Sequence, residues 1–177
     1  MNYRQRKQTK IKNFSYTADG IYFITLCAKD RQRLFGSIVN GEMLLSEAGK
    51  QIQETWMHIS NLYTNISLDE FIIMPNHFHA ILILLGAGAY KIEYQQNQGV
   101  FENEAYQELA PRICSLADIM RDFKSYTSHV YYLDTNHILW QRGYYEHIIR
   151  SDIELDHVRK YIKDNIINWE HDDYNNE

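Results

Sequence analysis

Residues 72–84 read Ile72-Ile73-Met74-Pro75-Asn76-His77-Phe78-His79-Ala80-Ile81-Leu82-Ile83-Leu84, an apolar run carrying two histidines one residue apart. Aliphatic and β-branched residues at this density build a strand. Successive strand side chains point to opposite faces, so His77 and His79 share a face and Phe78 points to the other. Pro75 and Asn76 mark a turn into the strand, because proline supplies no ladder donor. Two neutral imidazoles side by side on a rigid strand form a ready pair of metal ligands. Two polar residues on the solvated face of a half-buried strand would look the same, so the rest of the chain has to decide.

Working outward, residues 66–74 form the strand before the turn and 78–85 the strand after it. Residues 21–26 (Ile-Tyr-Phe-Ile-Thr-Leu) read as a central strand, and Asn40-Gly41 between apolar residues predicts a hairpin over 37–45. Ser46 caps a helix to about His58, with Ile52, Trp56 and Ile59 on one side; Gly49 weakens it. Ser115 and Asp118 cap a second helix whose buried stripe is Leu116, Ile119, Phe123, Tyr126 and Val130. Residues 139–150 read as a strand bent at Gly143. Ser151-Asp152-Ile153-Glu154 is a capping box for a last helix to about Asn168, packed by Leu155, Val158, Ile162 and Ile166. Residues 1–12 read as a flexible basic arm, 86–112 as a mobile loop, and the acidic end from Glu170 as frayed. The expectation is one α+β domain over 1–177, an antiparallel sheet with helices packed on one face.

The 177 residues suffice for a real core, and no apolar run is long enough to cross a bilayer. The first residues lack an apolar signal core, which places the protein in the cytoplasm. Cys27 and Cys114 lack metal-type spacing and predict no disulfide framework. The chain carries a net charge of −5, but its first 36 residues hold Arg4, Arg6, Lys7, Lys10, Lys12, Lys29, Arg31 and Arg33 against only Asp19 and Asp30. A basic end on an acidic body suits a nucleic-acid arm or a solvated terminus equally.

Tyr161 and Asn165, four apart on the last helix, share a face, and Arg159, Lys160 and Lys163 flank the tyrosine. Met74-Pro75-Asn76-His77-Phe78-His79 with its apolar run resembles the HUH metal motif of single-tyrosine transposases. Trp140-Gln141, Tyr145-Glu146-His147-Ile148-Ile149-Arg150 and Tyr161-Ile162-Lys163-Asp164-Asn165 are similar to the C-terminal signature of the REP-associated tyrosine transposases. Tyr22-Phe23-Ile24-Thr25 and Leu34-Phe35-Gly36 resemble the same group, so the likeness runs from about residue 14 to 169. It implies a ferredoxin-like, RRM-like sheet, His77 and His79 as metal ligands with Asn165 as a further one, and Tyr161 as nucleophile. Ile166 stands where the family commonly has proline, which lets the helix run further.

The resemblance implies a metal-dependent transposase or endonuclease that cuts and rejoins single-stranded or hairpin DNA through a 5′-phosphotyrosine. The chemistry agrees: two imidazoles, an amide oxygen and open positions suit Mg²⁺ or Mn²⁺, which neutralises charge at a scissile phosphate. Tyr161, with an ordinary pKa near ~10, needs that cation or a base to attack at neutral pH. Arg4, Arg6, Lys7, Lys10 and Lys12 would form the DNA-binding arm, with Arg31, Arg33, Lys124 and Arg142 as further phosphate contacts. Tyr126 is the rival nucleophile, read here as core. His147 reads as structural or site-orienting. A second reading is a catalytically silent, domesticated protein that recognises hairpin DNA. Either a monomer or a homodimer is compatible with the family.

Overall fold

The computed structural model describes residues 20–85 and 114–175. The basic arm, with Arg4, Arg6, Lys7, Lys10 and Lys12, and the connection 86–112 lie outside the described residues. In order, the elements are β1 (Gly20–Cys27), β2 (Gly36–Val39), β3 (Glu42–Leu45), α1 (Glu47–His58), β4 (Ile66–Ile73), β5 (His77–Leu84), α2 (Leu116–Thr135), β6 (Tyr145–Ile149) and α3 (Asp152–Asp164). Four strands make one antiparallel sheet in the order β4-β5-β1-β6, and β2 and β3 form a separate hairpin. Setting the hairpin aside, this is the ferredoxin-like split arrangement with a helix added at its C-terminal end. The protein is α+β, as its residue pattern predicts.

Alternation along β1 and β5 explains how the layers form. Tyr22, Ile24 and Leu26 with Phe78, Ala80, Leu82 and Leu84 point to one face and are buried beneath α1 and α2. There Trp56 meets Phe78 and Phe123 edge-on, with ring centroids 5.1 and 5.3 Å apart. On the opposite face, Ile81 with Ile21, Phe23 and Ile72 receives Leu155, Val158 and Ile162 of α3. The helices therefore cover both faces, which corrects the one-face expectation. Above its histidines β5 is apolar on both sides, and water must be excluded from each. The histidines lie on the α3 face.

Three boundaries differ from the sequence pattern. The buried stripe of α2 is Leu116, Ile119, Met120, Phe123 and Thr127, whereas Tyr126 is 47% exposed. One residue is 100° of helix, enough to rotate Tyr126 off the stripe. Thr127 is tolerated inside because its hydroxyl donates to the Phe123 carbonyl (2.8 Å) and accepts from Trp140 Nε1 (2.8 Å). Pairing in 139–150 begins only at Tyr145, after one isolated bridge between Ala28 and Trp140 and a turn at Gly143 with φ 76°. The last helix ends at Asp164, short of Asn168, and tightens into i→i+3 turns at Asn165 and Trp169 that tuck the tryptophan ring inward. No helix among the described residues is long and apolar enough to cross a membrane.

Candidate functional site

Register places the first two site residues. Thr25 pairs across the ladder with His79, and Cys27 with His77, so β1 supplies the floor beside both imidazoles. Both histidines are buried, at 0% and 1% exposure. Phe23 stacks on His79 at 5.1 Å and meets Tyr161 edge-on at 6.0 Å, linking strand and helix. α3 crosses this face with Ile162 inward, which leaves Tyr161 beside the histidines. Its hydroxyl lies 3.2 Å from His79 Nε2. Asn165, the cap residue that follows α3, is buried next to His77. The structure thus brings His77, His79, Tyr161 and Asn165 together from two segments some eighty residues apart.

Neighbouring side chains orient each of them. Asn76 Nδ2 donates to the carbonyls of Arg31 (3.2 Å) and Tyr174 (2.7 Å). With its NH₂ so occupied, Asn76 Oδ1 accepts from His77 Nδ1–H at 2.9 Å. That tautomer leaves a lone pair on His77 Nε2. The Asn165 amide is close enough to favour a charged His77 ring, yet neither His77 Nε2 nor Asn165 Oδ1 sits in a well-formed hydrogen bond. Asn165 Nδ2 is turned away, donating to Asp172 (3.3 Å). Two buried acceptors facing a common space without a donor cost roughly 1–3 kcal/mol each, and a cation between them removes that cost. His79 Nδ1 lies 2.8 Å from the Thr25 hydroxyl, so its ring is held at both nitrogens.

The electrostatics match a site for neutral imidazoles. Burial, reinforced by the Arg31 charge, lowers the His77 pKa to about 3. Burial and the His77 neighbour take His79 well below the usual range too. Burial first, then the Asp172 carboxylate, push the Tyr161 phenol up to about 12. Among the described residues no three His, Cys, Asp or Glu side chains gather into a ready-made metal cage. The donor set here is the His77 imidazole and an amide, with the His79 imidazole joining once the Tyr161 hydroxyl leaves its Nε2, and with carboxylate Asp172 behind the amide. Such a set fits a divalent cation that keeps open positions for other oxygen ligands.

The charged residues divide. Arg31 and Arg33 reach the site, on a turn where Asp30 and Arg31 both take left-handed φ (53° and 56°). Lys124 does not: from α2 it donates to the carbonyls of Gln141 (2.8 Å) and Gly143 (2.6 Å), and burial lowers its pKa to about 8. Arg142 is exposed in the turn before β6. Arg159 and Lys163, which flank Tyr161 in sequence, are taken up by acids of the β4 bulge. Arg159 forms a two-pronged pair with Asp69, and Lys163 reaches Glu70 at 2.7 Å. His147 binds Glu154 at 2.6 Å, and Glu154 also accepts the Arg150 N–H, so the capping box closes one residue early.

The chain from Glu170 on, expected to fray, instead folds back over the site together with Trp169. Tyr174 lies 4.6 Å from the His77 ring and Trp169 5.9 Å, with Arg31 over the first and Arg33 over the second. Thr25, Asn76, Asp172 and Tyr174 were missed as site residues. Asn76 alone carried a signal, as the polar residue next to the first histidine. The others depend on pairing across the sheet or on the return of the chain end.

No model of a known protein family matches the chain. A protein of Haemophilus influenzae Rd, itself uncharacterised, is 32% identical over 170 residues, covering 94% of this chain and 91% of that one. Among solved structures, the REP-associated tyrosine transposase bound to a REP hairpin is similar with a TM-score of 0.57 and 16% identity, over 92% of this chain and 74% of that chain. At that identity the likeness speaks for the fold. The chain belongs to one family with the Haemophilus protein, and its fold is that of the REP-associated tyrosine transposases.

Proposed function

We propose that the protein is a metal-dependent single-strand DNA endonuclease and strand transferase that uses Tyr161 as its nucleophile. The observation that carries this is the approach of the Tyr161 hydroxyl to 3.2 Å from His79 Nε2, beside the free lone pair of His77 and the Asn165 oxygen. A nucleophile next to a cation-binding donor set is what phosphoryl transfer requires.

His77, His79 and Asn165 would hold a Mg²⁺ or Mn²⁺ ion. When bound, it would neutralise charge on a phosphodiester and favour the ionised phenol. The residues of the chain do the rest. Phe23 and Ile162 fix the angle of Tyr161. Its oxygen attacks phosphorus as the bond to the 3′ oxygen breaks, and the phenolic proton leaves while the 3′ oxygen takes one up. The product is a 5′-phosphotyrosine and a free 3′-hydroxyl, and the same hydroxyl or another can reverse the step. With Tyr161 as the single attacking group, one strand is cut. The solved neighbour was bound to a REP hairpin, which supports hairpin or single-stranded DNA as the substrate here. Arg31 and Arg33 are its phosphate contacts. The arm residues Arg4, Arg6, Lys7, Lys10 and Lys12 remain proposed contacts on charge alone, and so does Arg142. Lys124 would serve only after leaving its two carbonyls.

The test is a denaturing gel with 5′- and 3′-labelled single-stranded hairpin oligonucleotides and Mn²⁺. A covalent adduct that requires the metal and disappears in Tyr161→Phe and His77→Ala is the expected result. Tight binding without an adduct would leave a silent DNA-binding protein. An adduct surviving in Tyr161→Phe would remove Tyr161 from the role.

A further inference from the structure

The sheet sets three side chains in one row across its strands. Thr25 of β1 lies opposite His79 of β5 on one side and opposite Tyr145 of β6 on the other, so all three point to the α3 face. Exposure rises steeply along the row, from 1% at His79 to 44% at Tyr145. β6 is an edge strand, and among the described residues no further strand covers it. The row therefore runs from the candidate metal ligands to an open rim.

Tyr145 and Tyr161 flank one aromatic side chain. Phe23, diagonal to Tyr145 in the ladder, meets its ring edge-on at 6.5 Å and meets Tyr161 edge-on at 6.0 Å. Phe23 braces both rings, yet each remains 44% exposed. Two interstrand steps put Tyr145 about 10 Å from His79, the order of distance between a phosphate and the base of its own or the next nucleotide. Arg142 and Arg150 are exposed at the two ends of β6. Glu154, on the α3 side of the rim, has both carboxylate oxygens engaged, by His147 (2.6 Å) and by the Arg150 N–H (2.8 Å). An exposed aromatic ring between cations, beside a site for a phosphate, is the chemistry that holds an unpaired base.

We propose that Tyr145 is the stacking platform for the nucleobase adjoining the scissile phosphate, and that the DNA strand leaves the site over the β6 edge, between Arg142 and Arg150. The proposal rests on the single-strand reading above and adds a base subsite and a direction for the strand. Every base has a π-face, so this subsite holds the strand in place without choosing its sequence.

The probe is a fluorescein-labelled oligothymidylate carrying one 5-iododeoxyuridine. It is used without metal on the full chain, with Tyr161→Phe throughout so that no covalent step of the site contributes. In anisotropy, Tyr145→Ala should bind at least about fivefold more weakly than this parent. Tyr145→Phe and Tyr145→Trp, which keep a ring, should recover most of that loss. Tyr132→Ala, which removes an exposed ring from α2, should stay within about twofold of the parent. Arg142→Gln and Arg150→Gln should each lower the salt dependence by about one released counterion. Irradiation should attach the probe to the peptide carrying Tyr145, read by mass spectrometry, which a merely structural tyrosine would not produce. If Tyr145→Ala unfolds by circular dichroism, the crosslink on the parent decides. Unchanged affinity in Tyr145→Ala, an equal loss in Tyr145→Phe and Tyr145→Trp, or crosslinks confined to other residues would overturn the platform while leaving single-strand binding intact. No binding by any variant would overturn both.

Discussion

An imidazole that holds a cation must present a lone pair, and the partner on its other nitrogen decides which nitrogen that is. Asn76 settles this for His77, because its own orientation is dictated by two backbone carbonyls. Asn76→Ala should therefore lower Mn²⁺ affinity by roughly 10–100-fold, measured by electron paramagnetic resonance. Asn76→Asp, which still accepts from Nδ1–H, should retain most of it. Equal losses in the two variants would reduce Asn76 to a turn residue. Burial of His77 also makes stability depend on pH. The unfolded chain takes up a proton near the ordinary value of 6.5 and the folded chain only near 3, so acid favours unfolding between those values. The urea midpoint should fall steadily from about pH 7 to about pH 4, and His77→Gln should flatten that fall. A slope unchanged by the substitution would place the effect on other groups.

At the scale of elements, helix propensity and packing disagree at Gly49. In isolation, glycine inside α1 weakens the helix, and alanine would strengthen it by up to about 1 kcal/mol. Here the helix start is pressed against the strand entry. Ser46 Oγ donates to the Leu34 carbonyl (2.7 Å) and accepts from Gly49 N–H (3.1 Å), and an added Cβ at Gly49 would overlap the Phe35 carbonyl oxygen. Gly49→Ala should thus destabilise the protein by about 1–3 kcal/mol in urea titration, against its propensity. A stabilised variant would mean that α1 can pull back from residues 35–36. The β2–β3 hairpin shows the opposite, agreement at every level: Asn40 and Gly41 both take positive φ, 53° and 80°, as a two-residue turn between twisted strands demands.

For the whole molecule, the sheet separates two tasks. The face under α1 and α2 carries the larger aromatic core, and the face under α3 carries the site. Phe123→Ala should cost about 3–5 kcal/mol in stability, while the remaining folded protein keeps its Mn²⁺ affinity. Ile162→Ala should cost about 2–5 kcal/mol and also weaken Mn²⁺ binding, since it seats the helix that carries Tyr161 and Asn165. Calorimetry of Mn²⁺ binding on both variants separates the outcomes, and parallel losses would contradict the division of the sheet.

Periodicity and punctuation were enough to read the strands and α-helices of the described residues to within a few positions, except that the strand expected over 139–150 pairs only from Tyr145 to Ile149. Period two places His77 and His79 together, and spacing of four places Tyr161 with Asn165, because both are local properties of a strand and a helix. Sequence alone also carried the likeness to a transposase group whose fold the structure shares. Other features were beyond local reading. That α3 crosses the histidine face, and not the face of the other helices, depends on β5 being apolar on both sides. That Arg159 and Lys163 answer Asp69 and Glu70 depends on a bulge in another strand. The acidic end of the chain looked like a solvated tail because its composition is polar. It is ordered by donors on Arg31, Arg33 and Asn76, distant in sequence, and only the closed sheet brings them within hydrogen-bond reach.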